Sequence, residues 1–161
     1  MPELIGSVLF GADEFVGTYV QAKLGSEAKF AGGYSALGVV RRGVFIGGVV
    51  YHNFLQMPFG NAVEVSFAFD DPSWALPQTM RTICSYPYLQ LGCVRVTAIV
   101  AKGNKRSRQM VEWIGFKREG VHPKGIDGKQ TAISYGMLRE DCRWIREKTV
   151  GKIGPEPATA A

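Results

Sequence analysis

The sequence predicts an α/β domain in which a mixed central sheet is flanked by helices, and three observations carry that class. Residues 62 to 69 alternate strictly, with Val63, Val65, Phe67 and Phe69 on one face and Ala62, Glu64, Ser66 and Ala68 on the other. Two strand–turn–helix units follow one another between residues 62 and 115. Two apolar runs, 37 to 40 and 44 to 51, are separated by Arg41-Arg42-Gly43 and read as a β-hairpin.

Taken in order, residues 11 to 24 place Phe15, Tyr19, Val20 and Leu24 at helical spacing, with Asp13 and Glu14 where a first turn favours acids. The hairpin comes next, and Gly47-Gly48 inside its second run marks a point where another backbone or a ligand comes close. The alternating strand has one bulky face suited to a core. Its other face is small and polar with a single carboxylate, which suits the floor of a cleft. After the turn Asp70-Asp71-Pro72-Ser73, Leu76, Met80, Ile83 and Cys84 make a helical stripe with Pro77 in its first turn, and Pro87 and Gly92 are expected to close it. Residues 94 to 101 read as a buried strand. Asn104 caps a helix whose Ser107, Met110, Val111 and Ile114 face inward and which Gly115 ends. Residues 117 to 121 and 131 to 138 are late strands joined by a Gly-rich loop, and 141 to 147 is expected to be a short closing helix.

The 161 residues, 46% apolar and 11% aromatic, suit one substantial core, so residues 1 to 150 are expected to form one domain and 151 to 161 a disordered tail. No apolar run approaches membrane-spanning length and the start lacks a basic leader, which reads as a soluble cytoplasmic protein without membrane partners. Cys84, Cys93 and Cys142 have neither disulfide-framework nor metal-ligand spacing, so no metal is expected. The net charge of +5 suits one polyanionic ligand. Without interleaved basic and aromatic residues, nucleic-acid binding is disfavoured.

The run from Asn104 through Ser107, Gly115, Phe116 and Glu119 to Gly120 resembles the N-x-x-S-x-x-x-x-x-x-x-G-F-x-x-E-G signature of the GNAT N-acetyltransferases, especially the ribosomal-protein branch. Small phage-encoded members look similar too, including at Tyr135-Gly136-Met137-Leu138-Arg139. Over about residues 4 to 147 the order of elements also fits. The resemblance implies that the strands at 62 to 69 and 94 to 101 are parallel and splayed, with the pantetheine arm of acetyl-CoA lying between them. It further implies cofactor contacts from the backbone of Phe67, Ala68 and Phe69, from the helix start at Trp74, Gln78 and Thr79, and from Asn104 and Ser107. An amine, of a protein or a small molecule, would be the acceptor, and a homodimer is compatible with the chain.

Two departures from the family pattern stand out. The segment before the first crossover helix, Ser73 to Gln78, carries no glycine, and Asp70-Asp71 places negative charge where phosphate is expected. Arg81, Lys105, Arg106 or Arg108 are candidates to offset it. The tyrosine that many members use as general acid falls at Val111, which has no proton to give. Glu64 is the candidate catalytic base, set against the reading of a solvated strand carboxylate or ion-pair partner. His52 and His122 read as structural residues, and Trp74 either lines the channel or packs on the core. The alternative function is a catalytically weak binding module of the same fold that modulates a protein partner; binding of acetyl-CoA discriminates the two.

Overall fold

A computed structural model describes residues 1–25, 30 and 32–145. Eight strands make one sheet: β1 (Glu3–Ile5), β2 (Val8–Phe10), β3 (Ser35–Arg41), β4 (Val44–Leu55), β5 (Asn61–Phe69), β6 (Cys93–Ala101), β7 (Lys117–His122) and β8 (Ala132–Leu138). Three helices, α1 (Asp13–Leu24), α2 (Pro77–Leu89) and α3 (Lys105–Ile114), complete the α/β architecture. The strand order is β1-β2-β3-β4-β5-β6-β8-β7, and only β5 and β6 pair in parallel. That pairing follows from the chain: β5 must cross over through α2 before β6 can lie beside it in the same direction.

Helix α1 covers one face of the sheet through Val16 and Val20, which pack with Ala36 and Val50 and against Ala68. The larger core fills the other face. There Met80, Ile83 and Cys84 of α2 and Val111 and Ile114 of α3 meet Val63, Val96, Ala98, Ile133, Tyr135 and Met137. The expected bulky face of β5 points into this core.

Gly47-Gly48 proves to be a place of close backbone approach. A Cβ on Gly47, at φ 141°, would stand 2.2 Å from the Ala68 carbonyl oxygen, and one on Gly48 would stand 2.3 Å from Val16 Cγ1. The glycine pair therefore lets β5 and α1 close on β4 from two sides.

Three expectations are corrected. A first hairpin, β1–β2, precedes α1 where no element was read. Pro87 does not close the second helix; α2 runs on to Leu89 with Pro87 inside it. Proline lacks the N–H that would bond the Ile83 carbonyl one turn back, and the buried Tyr51 hydroxyl donates to that oxygen instead at 2.6 Å. The closing helix is replaced by a 3-10 turn at Arg139–Asp141, with Trp144 after it donating its indole N–H to the Ile114 carbonyl. Residues 146 to 161, including the expected tail, lie outside the described residues.

Candidate active site

The site is built where β5 and β6 part. Their parallel register runs from Asn61↔Cys93 to Val65↔Ala98 and stops there, although β5 continues to Phe69 and β6 to Ala101. Beyond Val65 the strands are held by their outer neighbours only. Gly47–Val50 of β4 hold β5, and Ala132–Ser134 of β8 hold β6. A slot is left in the middle of the sheet, and the backbone register tells which peptides face it. The Asp70 N–H bonds the Ile46 carbonyl, so by strand alternation Ala68 directs its peptide groups to β4 while Phe67 and Phe69 direct theirs into the gap. Of the three backbone positions expected to contact the cofactor, Phe67 and Phe69 turn their peptide groups into the gap and Ala68 turns its own to β4.

The helices that follow both slot strands begin at the same edge of the sheet. Asn104 caps α3, its Oδ1 accepting from the Ser107 N–H at 3.1 Å, so its amide NH2 and the Ser107 hydroxyl remain for other partners. At the start of α2, Gln78 is exposed. Thr79 is buried, with its hydroxyl 2.6 Å from that of Ser7 in the turn between β1 and β2. The Thr79 hydroxyl is thus spent within the protein. Trp74 packs on the core: it is 5% exposed, and its ring stacks on Phe69 at 4.1 Å with 2° between the planes.

The two aspartates that crowd the phosphate end are both engaged. Asp70 turns back to α1 and pairs with Lys23 at 2.8 Å, which holds its carboxyl below the usual range. Asp71 caps the 3-10 turn Pro72–Ala75 through the Ser73 N–H at 2.8 Å, and that bond holds its carboxyl low as well. With both turned to protein partners, the start of α2 can receive a polyanion. Arg81 is partly exposed on α2, while Lys105 and Arg106 are exposed at the start of α3.

On the α1 side of the slot stands Glu64, in register with His52 of β4 and Thr97 of β6. A register shift after His52 puts Asn53 at φ 52° and turns its amide to donate to Glu64 Oε2 at 2.7 Å. His52 is 6% exposed, its Nε2 is 2.8 Å from Ser66 Oγ and its ring lies against Phe30 at 4.8 Å. Burial lowers its pKa, and the nearby Glu64 charge opposes that shift. A neutral imidazole, two hydroxyls and one carboxylate therefore line this face. The sequence shows His52, Asn53 and Ser66 but not that the strand register gathers them round Glu64.

Val111, the position at which the sequence resemblance implies a tyrosine, is fully buried in the core. Tyr135 beneath α3 binds its hydroxyl to Glu112 at 3.1 Å. Cys84, Cys93 and Cys142 are buried free thiols. Among the described residues no group of three or more His, Cys, Asp or Glu is placed to hold a metal, and no helix is long and apolar enough to cross a membrane.

Parallel strands parted in mid-sheet, within a mixed eight-stranded sheet carrying three helices, make the fold of the GNAT acetyltransferases. A probable acetyltransferase of known structure matches with a TM-score of 0.63 at 18% identity, over 87% of this chain and 98% of its own. The ribosomal-protein-S5-alanine acetyltransferase of Vibrio fischeri matches at 0.57 and 21% identity, over 68% of this chain and 64% of its own. Mycobacterium smegmatis RimJ, solved in complex with CoA-disulfide, matches at 0.55 and 16% identity over 66% and 54%. No protein-family model matches the sequence, and no curated protein matches it.

Proposed function

We propose that this chain is an N-acetyltransferase that moves an acetyl group from acetyl-CoA to a primary amine by direct transfer. The observation that carries the reading is the slot after Val65↔Ala98, where Phe67 and Phe69 present unpaired peptide groups to whatever lies between the strands. A pantetheine arm carries two amides and fits such a gap as a short extra strand would. The fold it shares with named acetyltransferases and a CoA complex supports the same reading.

In this reading Glu64 takes a proton from the incoming ammonium, directly or through water, while the Asn53 amide steadies the carboxylate. The freed nitrogen lone pair attacks the thioester carbonyl carbon. The Phe67 N–H donates to the oxygen as it gains charge. Collapse forms the amide and breaks the carbon–sulfur bond; the nitrogen releases its second proton to solvent and the thiolate takes one up from solvent, since Val111 has none to give. Gln78 and Thr79 at the start of α2, with the cations near α3, hold the phosphate end, and Asn104 and Ser107 meet the arm.

The test is thiol release from acetyl-CoA with a panel of amines, covering peptide α-amines, lysine and polyamines. Turnover with at least one class is expected, and Glu64→Gln should lower kcat by roughly 10²-fold or more with little change in acetyl-CoA binding. Equal turnover by Glu64→Gln removes the base from the mechanism. Failure of acetyl-CoA to bind at all removes the function.

A further inference from the structure

In the helix-side layer, beneath the last paired residues of β5 and β6 and the start of the slot, lies a cavity of about 40 Å³ lined without a polar surface. Val49 and Tyr51 of β4, Val65 and Phe67 of β5, Val96 of β6 and Met137 of β8 form its sheet side, so both strands that part contribute to its roof. Its opposite wall is Ile83 and Pro87 of α2, with Ile114 closing it from α3. The hydroxyl of Tyr51, which also borders the space, is spent on the Ile83 carbonyl. Water gains nothing there, because it needs two to four polar partners to be held in a cavity.

We infer that this cavity is an acyl pocket, and that beside acetyl the site accepts three- and four-carbon acyl groups and binds their thioesters more tightly. The inference rests on the acyl-CoA reading above and names the acyl class. A thioester carbonyl held by Phe67 N–H sits at the mouth of the slot, where Val65 and Phe67 turn their side chains toward the helices. A tail longer than one methyl continues through the gap into the apolar space. One water-sized group takes roughly 10–15 Å³ by this measure of volume, so the cavity has room for about two or three carbons beyond the carbonyl. Acetyl would leave most of it empty, whereas butyryl or isobutyryl would fill it. A six-carbon chain would press on Ile114 and Pro87.

The test is calorimetry of the full chain with CoA and with acetyl-, propionyl-, butyryl- and hexanoyl-CoA. Affinity should rise about fourfold for each carbon from acetyl to butyryl and fall at hexanoyl. Val96→Ile, which adds a carbon to the wall, should move the optimum one carbon shorter, and Ile83→Val should move it one carbon longer. Thermal melts of both variants confirm that they fold. Equal affinities for acetyl- and butyryl-CoA, or an optimum that neither variant moves, would show a packing void only and overturn the pocket while leaving the acetyl-CoA reading intact. Failure of CoA itself to bind overturns both.

Discussion

Removing the Tyr51 hydroxyl should reveal how α2 tolerates a proline in its third turn. Tyr51 is 2% exposed and donates at 2.6 Å to the carbonyl of Ile83, the acceptor that Pro87 leaves without its helical donor. In Tyr51→Phe that carbonyl is buried and unpaired, a loss of about 1–3 kcal/mol. For a chain of this size 2 kcal/mol corresponds to a drop of roughly 4–8 °C in Tm. The decisive measurement is a double-mutant cycle by urea unfolding. In Pro87→Ala the new N–H reaches the Ile83 carbonyl, so Tyr51→Phe then loses only the net worth of one bond, about 0.5–1.5 kcal/mol. A coupling of about 1 kcal/mol is expected. If Tyr51→Phe costs the same in both backgrounds, the hydroxyl is not standing in for the missing N–H and the account of α2 is wrong. Because Tyr51, Ile83 and Pro87 all border the cavity, the cycle should also be read out with butyryl-CoA bound.

Gly47→Ala should destabilise by about 2–4 kcal/mol, since its Cβ meets the Ala68 carbonyl at 2.2 Å in a backbone region that side chains rarely adopt. The same variant should weaken CoA binding by displacing Ala68–Phe69; a change under about 0.5 kcal/mol in urea would contradict the close approach. Asp127 accepts from the Gln130 side chain at 3.0 Å and from the N–H groups of Gln130 and Lys129 at 2.8 and 2.9 Å, which hold its carboxyl at about 2. Its contribution to loop order is therefore complete above the ordinary carboxylate range and lost only as pH falls through about 2. Carboxyl NMR should show that midpoint, and a midpoint near 4 would mean the three bonds are absent in solution. His52 is held neutral by burial, so the unfolded chain binds more protons at this site and stability should fall as pH drops below the ordinary imidazole value. Glu64→Gln should lower the His52 midpoint further in an imidazole titration; an upward move would reverse the sign assigned to Glu64.

The parts of the fold that were legible in the sequence are those whose signal is local. Strand β5 alternates because Val63, Val65, Phe67 and Phe69 enter the larger core while the other face, with Glu64 and Ser66, turns to the α1 side. Asn104 and Gly115 announce α3 because each supplies a bond or a backbone angle at the helix end that other residues supply less well. The β1–β2 hairpin was illegible since three-residue strands are too short to show a period. Pro87 misleads for a different reason. Its missing donor is replaced by Tyr51 from another element, which no window of sequence around Pro87 contains. The surroundings of Glu64 depend on register: His52, Asn53 and Ser66 reach it only because β4 shifts after His52 and pairs antiparallel with β5. The charge of Asp70 is likewise offset by Lys23, a residue of α1 that meets the turn only in the folded chain.

The slot lies between two strand ends that are each anchored to an outer neighbour. Closing β5 and β6 beyond Val65 would gain the few bonds that Phe67, Phe69 and the end of β6 leave unmade. It would also bend the β4–β5 and β6–β8 pairs toward each other, and β6 pairs with β8 over the whole of Arg95–Ala101. On the other side the Gly47-Gly48 pair draws Ala68 and Phe69 against β4, while Trp74 stacks on Phe69 and fastens the strand end to the turn leading into α2. The slot thus leaves the inner edges of two strands, each held on its outer edge, without a strand partner, and their peptide groups must be met by water or by a ligand with amides of its own. A chain bearing amides at strand spacing and a thioester at its tip meets that demand, which is why the parted strands argue for acyl-CoA even where the glycine-bearing phosphate loop is lacking.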